Sequence, residues 1–219
     1  MKYIVITKKI WLKKNFDPLK KNFLILNKIN IKKIKSLNPK IIFFIHWSKW
    51  INSSIFNNYT CIQFHASNLP KGRGGSPIQN QILMNKRKTK LSAFKISKNL
   101  DAGPICLQNN LDLKGSANQI FIKLEKTAVL MIKKISQKKK LIFKSQKGSP
   151  SYFKRRNPKQ SLIDFKKIRS FNKLYDFLRM LDADGYPKAY VKLNKYNFSF
   201  YSVKQNKKTI FANVLIKKR

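Results

Sequence analysis

Hydrophobic and polar positions follow two different periods along the first two thirds of the chain. Short apolar runs bounded by polar or turn residues are typical of strands that are covered on both faces. The pattern predicts such strands at residues 3–7, 23–26, 41–45, 61–64, 91–96 and 105–113. Between them, Ile31, Ile34 and Leu37 recur at helical spacing, and Pro39 ends that predicted helix. Residues 11–21 predict only a weak helix or a loop.

Two segments carry capping signals for helices. Ser76 stands before Pro77 and three residues before Gln79, so we expect Ser76 to cap a helix and Gln79 to complete a capping box. Ser116 and Gln119 form the same pair ahead of a longer helix. That helix has an apolar stripe at helical spacing, made of Ile120, Leu124, Ala128, Met131 and Ile135.

The order of these elements predicts an α/β fold with a mostly parallel sheet over residues 1–143. Residues 144–158 are polar and contain glycine, prolines and two arginines, which is typical of a linker. Residues 159–219 begin with an amphipathic helical pattern and continue with alternating runs at 189–193, 198–203 and 209–216. We therefore expect a small β-rich subdomain at the C-terminal end.

The charge of the chain is extreme, with 49 basic and 8 acidic residues and a formal net charge of +41. Two interpretations stay open: selection for a polyanionic partner, or a compositional bias that also enriches asparagine and isoleucine. Both predict weak, non-specific binding to polyanions. The chain has no recognition-helix, RNA-binding or OB-type aromatic motif, so the charge alone does not indicate a dedicated nucleic-acid-binding protein.

The two cysteines, Cys61 and Cys106, lie far apart and outside any Cys/His cluster. They are expected to be reduced, and no metal site is predicted. The longest purely apolar run covers residues 41–45, which is too short to span a membrane, and the first residues lack the long apolar region of a signal peptide. The sequence therefore predicts a cytoplasmic protein without a membrane span.

Three polar side chains are expected at one edge of the sheet. His65 follows a buried strand, Gln63 points to the same side because strand side chains alternate, and Asp101 lies between two predicted strands. An amide and an imidazole can stabilise the oxyanion formed when an amine attacks a carbonyl, and a carboxylate can hold the imidazole and relay a proton. Each residue alone also has a structural explanation, so the hypothesis depends on their order and spacing together.

The runs His65-Ala-Ser-Asn-Leu-Pro, Arg73-Gly-Gly-Ser-Pro-Ile and Leu100-Asp-Ala-Gly-Pro-Ile resemble the 10-formyltetrahydrofolate-dependent formyltransferase family. The strongest part of the resemblance covers residues 41–135. It implies a Rossmann-like formyltransferase domain, 10-formyltetrahydrofolate as co-substrate, no metal, and His65 and Asp101 as catalytic residues. Gln63 stands where the family usually has asparagine, and it keeps the amide on a side chain one methylene longer.

Loop position and the resemblance each add a further set of candidate residues. The candidates for orienting the acceptor or its phosphates are Ser67, Arg73, Gly74 and Gly75. The candidates for contacting the folate are His46, Trp47, Leu100 and Gly103.

The first functional hypothesis is formyl transfer to a primary amine of a nucleotide-activated amino sugar in surface-glycan biosynthesis. It is suggested by the short C-terminal part and by the run Phe153-Lys-Arg-Arg-Asn-Pro, which looks like that of formyltransferase-like proteins of surface-sugar biosynthesis. The positive charge favours the alternative, formylation of methionyl-tRNA. A non-catalytic binding module that kept the fold is the third hypothesis, suggested by Gln63 and the altered segment around Trp47. A homodimer is a further expectation.

Overall fold

A computed structural model of the chain describes residues 2–219. The strands are β1 (Tyr3–Thr7), β2 (Phe23–Leu26), β3 (Ile41–Ile45), β4 (Cys61–His65), β5 (Arg73–Gly74), β6 (Lys88–Lys95), β7 (Ile105–Asp112), β8 (Tyr152–Phe153), β9 (Ala189–Leu193), β10 (Tyr196–Gln205) and β11 (Ile210–Lys218). The α-helices are α1 (Ile31–Leu37), α2 (Ser53–Phe56), α3 (Pro77–Leu83), α4 (Ala117–Gln137) and α5 (Phe171–Arg179). Short 3-10 helices cover Lys13–Leu19 and Pro158–Ser161.

The central sheet has the strand order β2-β1-β3-β4-β6-β7. The first four strands in this order are parallel to one another, whereas β6 and β7 join as an antiparallel pair. The predicted α/β class with a mostly parallel sheet is therefore confirmed. Because β1, β3 and β4 run in the same direction, the loops that follow them meet at one rim of the sheet.

The sheet separates two apolar layers. Successive strand residues point to opposite faces, so Val5 and Phe43 pack in one layer while Ile4 and Phe44 pack in the other. Helix α4 covers the first layer with its predicted apolar stripe, and the capping box of Ser116 and Gln119 is present at its start. Because both layers pack against β1, β3 and β4, they hold the ends of these strands, from which the rim loops start.

The predicted capping box at Ser76 is wrong. Ser76 has a left-handed backbone, with φ of 50°, and its side chain makes no capping hydrogen bond. Its Oγ instead accepts the backbone N–H of Arg156 at 3.1 Å, so a long-range contact has replaced the local one. Gln79 is buried, and its Nε2 atom has no hydrogen-bond partner within the described chain.

The polar segment 144–158 lies against the loops at the rim. Its strand β8 pairs with β5 in parallel, and Lys144 exchanges two backbone hydrogen bonds of 2.8 Å with Ile105. The Gln146 amide donates to the carbonyl oxygens of Asp101 and Gly103, both at 2.8 Å. A segment with the composition of a linker thus forms part of the wall around the site.

The C-terminal part contains α5 and the antiparallel sheet β11-β10-β9, which confirms the predicted β-rich element. A half-buried ion pair links it to the first part of the chain, because the buried Asp176 on α5 accepts from Arg87 at 2.9 and 3.0 Å. Arg179 on the same helix also donates to Asp176, at 2.7 Å. No helix within residues 2–219 has the length and apolar character needed to cross a membrane.

Candidate active site

A cavity of about 780 Å³ opens at the carboxyl rim of the sheet. The loops after β1 and β3, the end of β4, the start of α3 and the 97–101 loop line it. The rest of the wall comes from α4, segment 153–161 and residues 181–187. Gln63, His65 and Asp101 all line this cavity. The structure therefore brings together the three residues that the sequence proposes for catalysis.

The hydrogen bonds of His65 decide which nitrogen can take up a proton. Its Nε2 atom lies 2.7 Å from the carbonyl oxygen of Gly72. Since a carbonyl oxygen only accepts, Nε2 carries the hydrogen and Nδ1 is the free base in the neutral ring. Nδ1 lies 3.6 Å from Oδ2 of Asp101, and both side chains are less than a tenth exposed. A proton gained at Nδ1 would be stabilised by this carboxylate.

Backbone contacts hold the Asp101 carboxylate in place. Its Oδ2 accepts the N–H of Gly74 at 2.8 Å, and its left-handed backbone, with φ of 48°, is one that aspartate tolerates better than most residues. Gly103 closes the same loop. A Cβ atom there would lie 1.7 Å from the carbonyl oxygen of Lys95, so only glycine fits.

The Gln63 side chain is held loosely in comparison. It is half-buried on β4, and its Nε2 lies 3.5 Å from the carbonyl oxygen of Trp47, at the outer limit of a hydrogen bond. An amide with so weak a partner is able to donate to an oxygen inside the cavity.

The predicted folate residues divide into two groups. His46, Trp47 and Leu100 line the cavity, whereas Gly103 does not and has the structural role given above. Burial, assisted by Lys9, lowers the pKa of His46 to about 3, so His46 is neutral near pH 7. The Nε1 atom of Trp47 is buried without a partner in the described residues.

The predicted acceptor residues also divide. Gly74 and Gly75 line the cavity, but Ser67 and Arg73 do not. Ser67 is buried, and its carbonyl oxygen accepts the hydroxyl of Ser92 at 2.6 Å. The Arg73 guanidinium donates to Gln146 Oε1 at 2.7 and 3.2 Å and to the Tyr152 hydroxyl at 3.3 Å, so the wall segment occupies it.

Several lining residues were not predicted from the sequence. The aromatic ones include Trp11, Phe121 and Tyr186, and the basic ones are Lys8, Lys9, Lys49, Arg155 and Arg156. Arg155 and Arg156 belong to the run Phe153-Lys-Arg-Arg-Asn-Pro, whose basic residues could have indicated an anion-binding role. Trp11 lies in a segment without clear periodicity, so nothing in the sequence indicated its position. Asp101 is the one acidic side chain among the lining residues of the described chain. A cavity with this charge balance favours an anionic ligand.

Residues 2–219 contain no group of three or more His, Cys, Asp or Glu side chains that could hold a metal ion.

Two sequence models of known protein families match this chain. The model described as formyl transferase matches residues 6–142, and the model of the methionyl-tRNA formyltransferase C-terminal domain matches residues 158–217. The chain belongs to the formyl transferase family. The resemblance of its motifs to that family is thereby confirmed.

This formyl transferase is 33% identical over 129 residues to the methionyl-tRNA formyltransferase of Thermodesulfovibrio yellowstonii. The match covers 56% of the chain and 42% of the relative, so the chain spans less than half the length of the curated proteins it first matches. A solved methionyl-tRNA formyltransferase structure from Clostridium thermocellum is 38% identical, with a TM-score of 0.93 over all of both chains. A sugar N-formyltransferase from a Shewanella species is 15% identical, with a TM-score of 0.62 over 88% of this chain and 92% of that one.

Proposed function

We propose that this chain transfers the formyl group of 10-formyltetrahydrofolate to the amine of methionyl-tRNA. The single observation that carries the proposed chemistry is the buried His65–Asp101 pair, 3.6 Å apart, with Gln63 on the same cavity. The 38% identity to a methionyl-tRNA formyltransferase of the same extent supports the acceptor. The amino-sugar acceptor expected from the sequence has weaker support, because a likeness at 15% identity concerns the fold alone.

The three residues have separate roles in this proposal. The folate supplies the formyl group, and the acceptor amine forms the new C–N bond at its carbon. His65 accepts the amine proton at Nδ1, and Asp101 stabilises the resulting imidazolium. The Gln63 amide donates to the oxyanion of the tetrahedral intermediate. His65 then returns the proton to the folate nitrogen as its C–N bond breaks, so charge and protons balance and no metal is needed.

One side of the cavity fits a pterin ring. Ile51, Phe56 and Ile96 provide apolar contacts there, and Leu100 lies half-exposed at the opening. The buried Nε1 of Trp47 has no partner in the described residues and offers a donor to a polar ring. An apolar pocket with few convergent polar atoms is the usual form of a site for a flat cofactor.

The basic lining residues fit an anionic acceptor. They are Lys8, Lys9, Lys49, Arg155 and Arg156, and the chain as a whole carries a net charge of +41. Basic side chains next to a reaction centre would hold the phosphates of a tRNA terminus. This charge also predicts that binding weakens as salt is raised, whichever RNA is used.

The test is formylation by the full chain with 10-formyltetrahydrofolate and methionyl-tRNA, with nucleotide-activated amino sugars in parallel. Formyl-methionyl-tRNA as the main product supports the proposal, and formylation of the amino sugars alone overturns it. A gel shift at fixed salt should show a preference for charged initiator tRNA over random RNA of equal length. Folate binding without formylation of any acceptor would indicate the non-catalytic module instead.

A further inference from the structure

Glu125 is the one glutamate in a chain with only eight acidic residues. It lies on α4, is fully buried, and does not line the cavity. Its Oε1 accepts the backbone N–H of Trp11 at 2.6 Å, and its Oε2 accepts the N–H of Leu12 at 3.0 Å. The Asn15 side chain donates to Oε2 at 3.5 Å, and Nε2 of His46 lies 3.7 Å from Oε1. The carboxylate thus holds the loop after β1 from a helix more than a hundred residues away.

The loop has no local group that could do this. Leu12 occupies the N-cap position of the 3-10 helix Lys13–Leu19, and its side chain cannot accept a hydrogen bond. Leaving a buried backbone N–H without an acceptor costs about 1–3 kcal/mol. Because Glu125 supplies both acceptors, the loop conformation depends on it.

The residue that this arrangement places is Trp11. Its ring lines the cavity, stacks on Phe121 at 4.3 Å between ring centres and meets His46 edge-on at 4.6 Å. Phe121 stacks in turn on Tyr186 at 5.2 Å. The Nε1 atom of Trp11 is buried and has no partner in the described residues. Trp11 is therefore a wall of the cavity with a free hydrogen-bond donor.

Trp11 lies beside one of the basic residues that line the cavity. The ammonium of Lys9 sits 4.7 Å from the centre of its ring. Trp11 and Phe121 belong to the apolar layer under α4, whereas Trp47 and Ile96, which we assign to the folate, belong to the layer on the other face of the sheet. A movement of Trp11 would therefore act next to Lys9 and leave Trp47 and Ile96 in place, and His46 is the folate candidate that it meets edge-on.

We propose that Glu125 is a positioning residue that fixes Trp11 in the wall facing the acceptor and so sets the affinity for the acceptor without touching it. This inference rests on the proposed formyl transfer. It adds to that function a determinant of acceptor binding in a loop outside the three sequence runs that carry the resemblance to the family.

The variant Glu125→Gln tests the inference with almost no change of shape. An amide keeps one acceptor oxygen and turns an NH₂ group toward the other backbone N–H, so one of the two bonds is lost. We expect the KM for the acceptor to rise about tenfold and kcat to stay within twofold of the wild type. The KM for the folate should rise by no more than about threefold, because His46 is the folate candidate that lies next to both Trp11 and Glu125. Trp11→Ala should raise the acceptor KM in the same way, and the double variant should add little, as expected for residues that act together.

Asp176→Asn is the matched control. It also converts a buried acid into an amide, but it breaks the pair with Arg87 and Arg179, away from the cavity. We expect it to lower the Tm and leave both KM values unchanged. If Glu125→Gln behaves like this control, or raises both KM values equally, the inference is wrong. Should Glu125→Gln not fold, an unchanged acceptor KM in Trp11→Ala overturns it equally.

Amide hydrogen exchange separates this inference from the proposed function. In Glu125→Gln, the amides of Trp11 and Leu12 should exchange at least tenfold faster, while those of Ile4 and Val5 in β1 keep their rates. Absence of formyl transfer by the wild type rejects the proposed function but leaves this readout intact. Unchanged exchange at Trp11 and Leu12 rejects the role of Glu125 even in an active enzyme.

Discussion

Replacing Asp101 with asparagine removes the charge of the His65–Asp101 pair and little else. The asparagine Oδ1 can still accept the Gly74 N–H, which Asp101 accepts at 2.8 Å, so the loop should keep its conformation. The lost charge lies 3.6 Å from His65 Nδ1 in a buried setting. At an effective dielectric constant near 20, two unit charges at this separation attract by about 5 kcal/mol. That energy corresponds to roughly three powers of ten in rate.

We therefore expect Asp101→Asn to lower kcat between about a hundredfold and a thousandfold, with screening accounting for the lower limit. Steady-state kinetics with saturating folate and methionyl-tRNA measure this, and urea unfolding checks that stability is kept. Asp112→Asn is the control, because Asp112 forms an exposed ion pair with Lys123 outside the cavity. A loss of less than tenfold in a stably folded Asp101→Asn would refute the assignment of Asp101 as the group that stabilises the imidazolium.

Two further predictions concern Gln63 and His46. Gln63→Leu should lower kcat by about 10²–10³, the usual effect of removing one oxyanion donor. Gln63→Asn keeps an amide and should lower kcat less in the same assay. Equal losses of kcat in the two variants would mean that the amide is not used. Because burial lowers the pKa of His46 from 6.5 to about 3, the unfolded chain binds a proton below pH 6.5 that the native chain does not. The free energy of unfolding should therefore fall by about 2 kcal/mol more between pH 7 and pH 5 in the wild type than in His46→Phe. Urea titrations at the two pH values measure this difference, and equal pH dependence in both proteins would contradict it.

The sequence by itself predicted most of the secondary-structure elements and the three residues at the centre of the candidate site. Apolar runs such as Ile41–Ile45 predict buried strands, and the pair Ser116 and Gln119 predicts the start of α4, because each signal acts over a few residues. The direction of the parallel strands places His65 at the carboxyl rim. The periodicity and this direction can both be read along the chain. The position of Asp101 beside His65 does not follow from strand direction, because β6 and β7 are antiparallel, and it was predicted from the order of the motifs.

Only the tertiary structure decided which polar groups meet. The Ser76 hydroxyl oxygen accepts the backbone N–H of Arg156 instead of capping its own helix. The Arg73 guanidinium donates to Gln146 and does not line the cavity. The contact between Trp11 and Glu125 joins positions 114 residues apart. Hydrogen bonds of this kind follow no periodic pattern along the sequence. They form where packing leaves a buried donor beside an acceptor from another element, and that pairing exists only once the chain has folded.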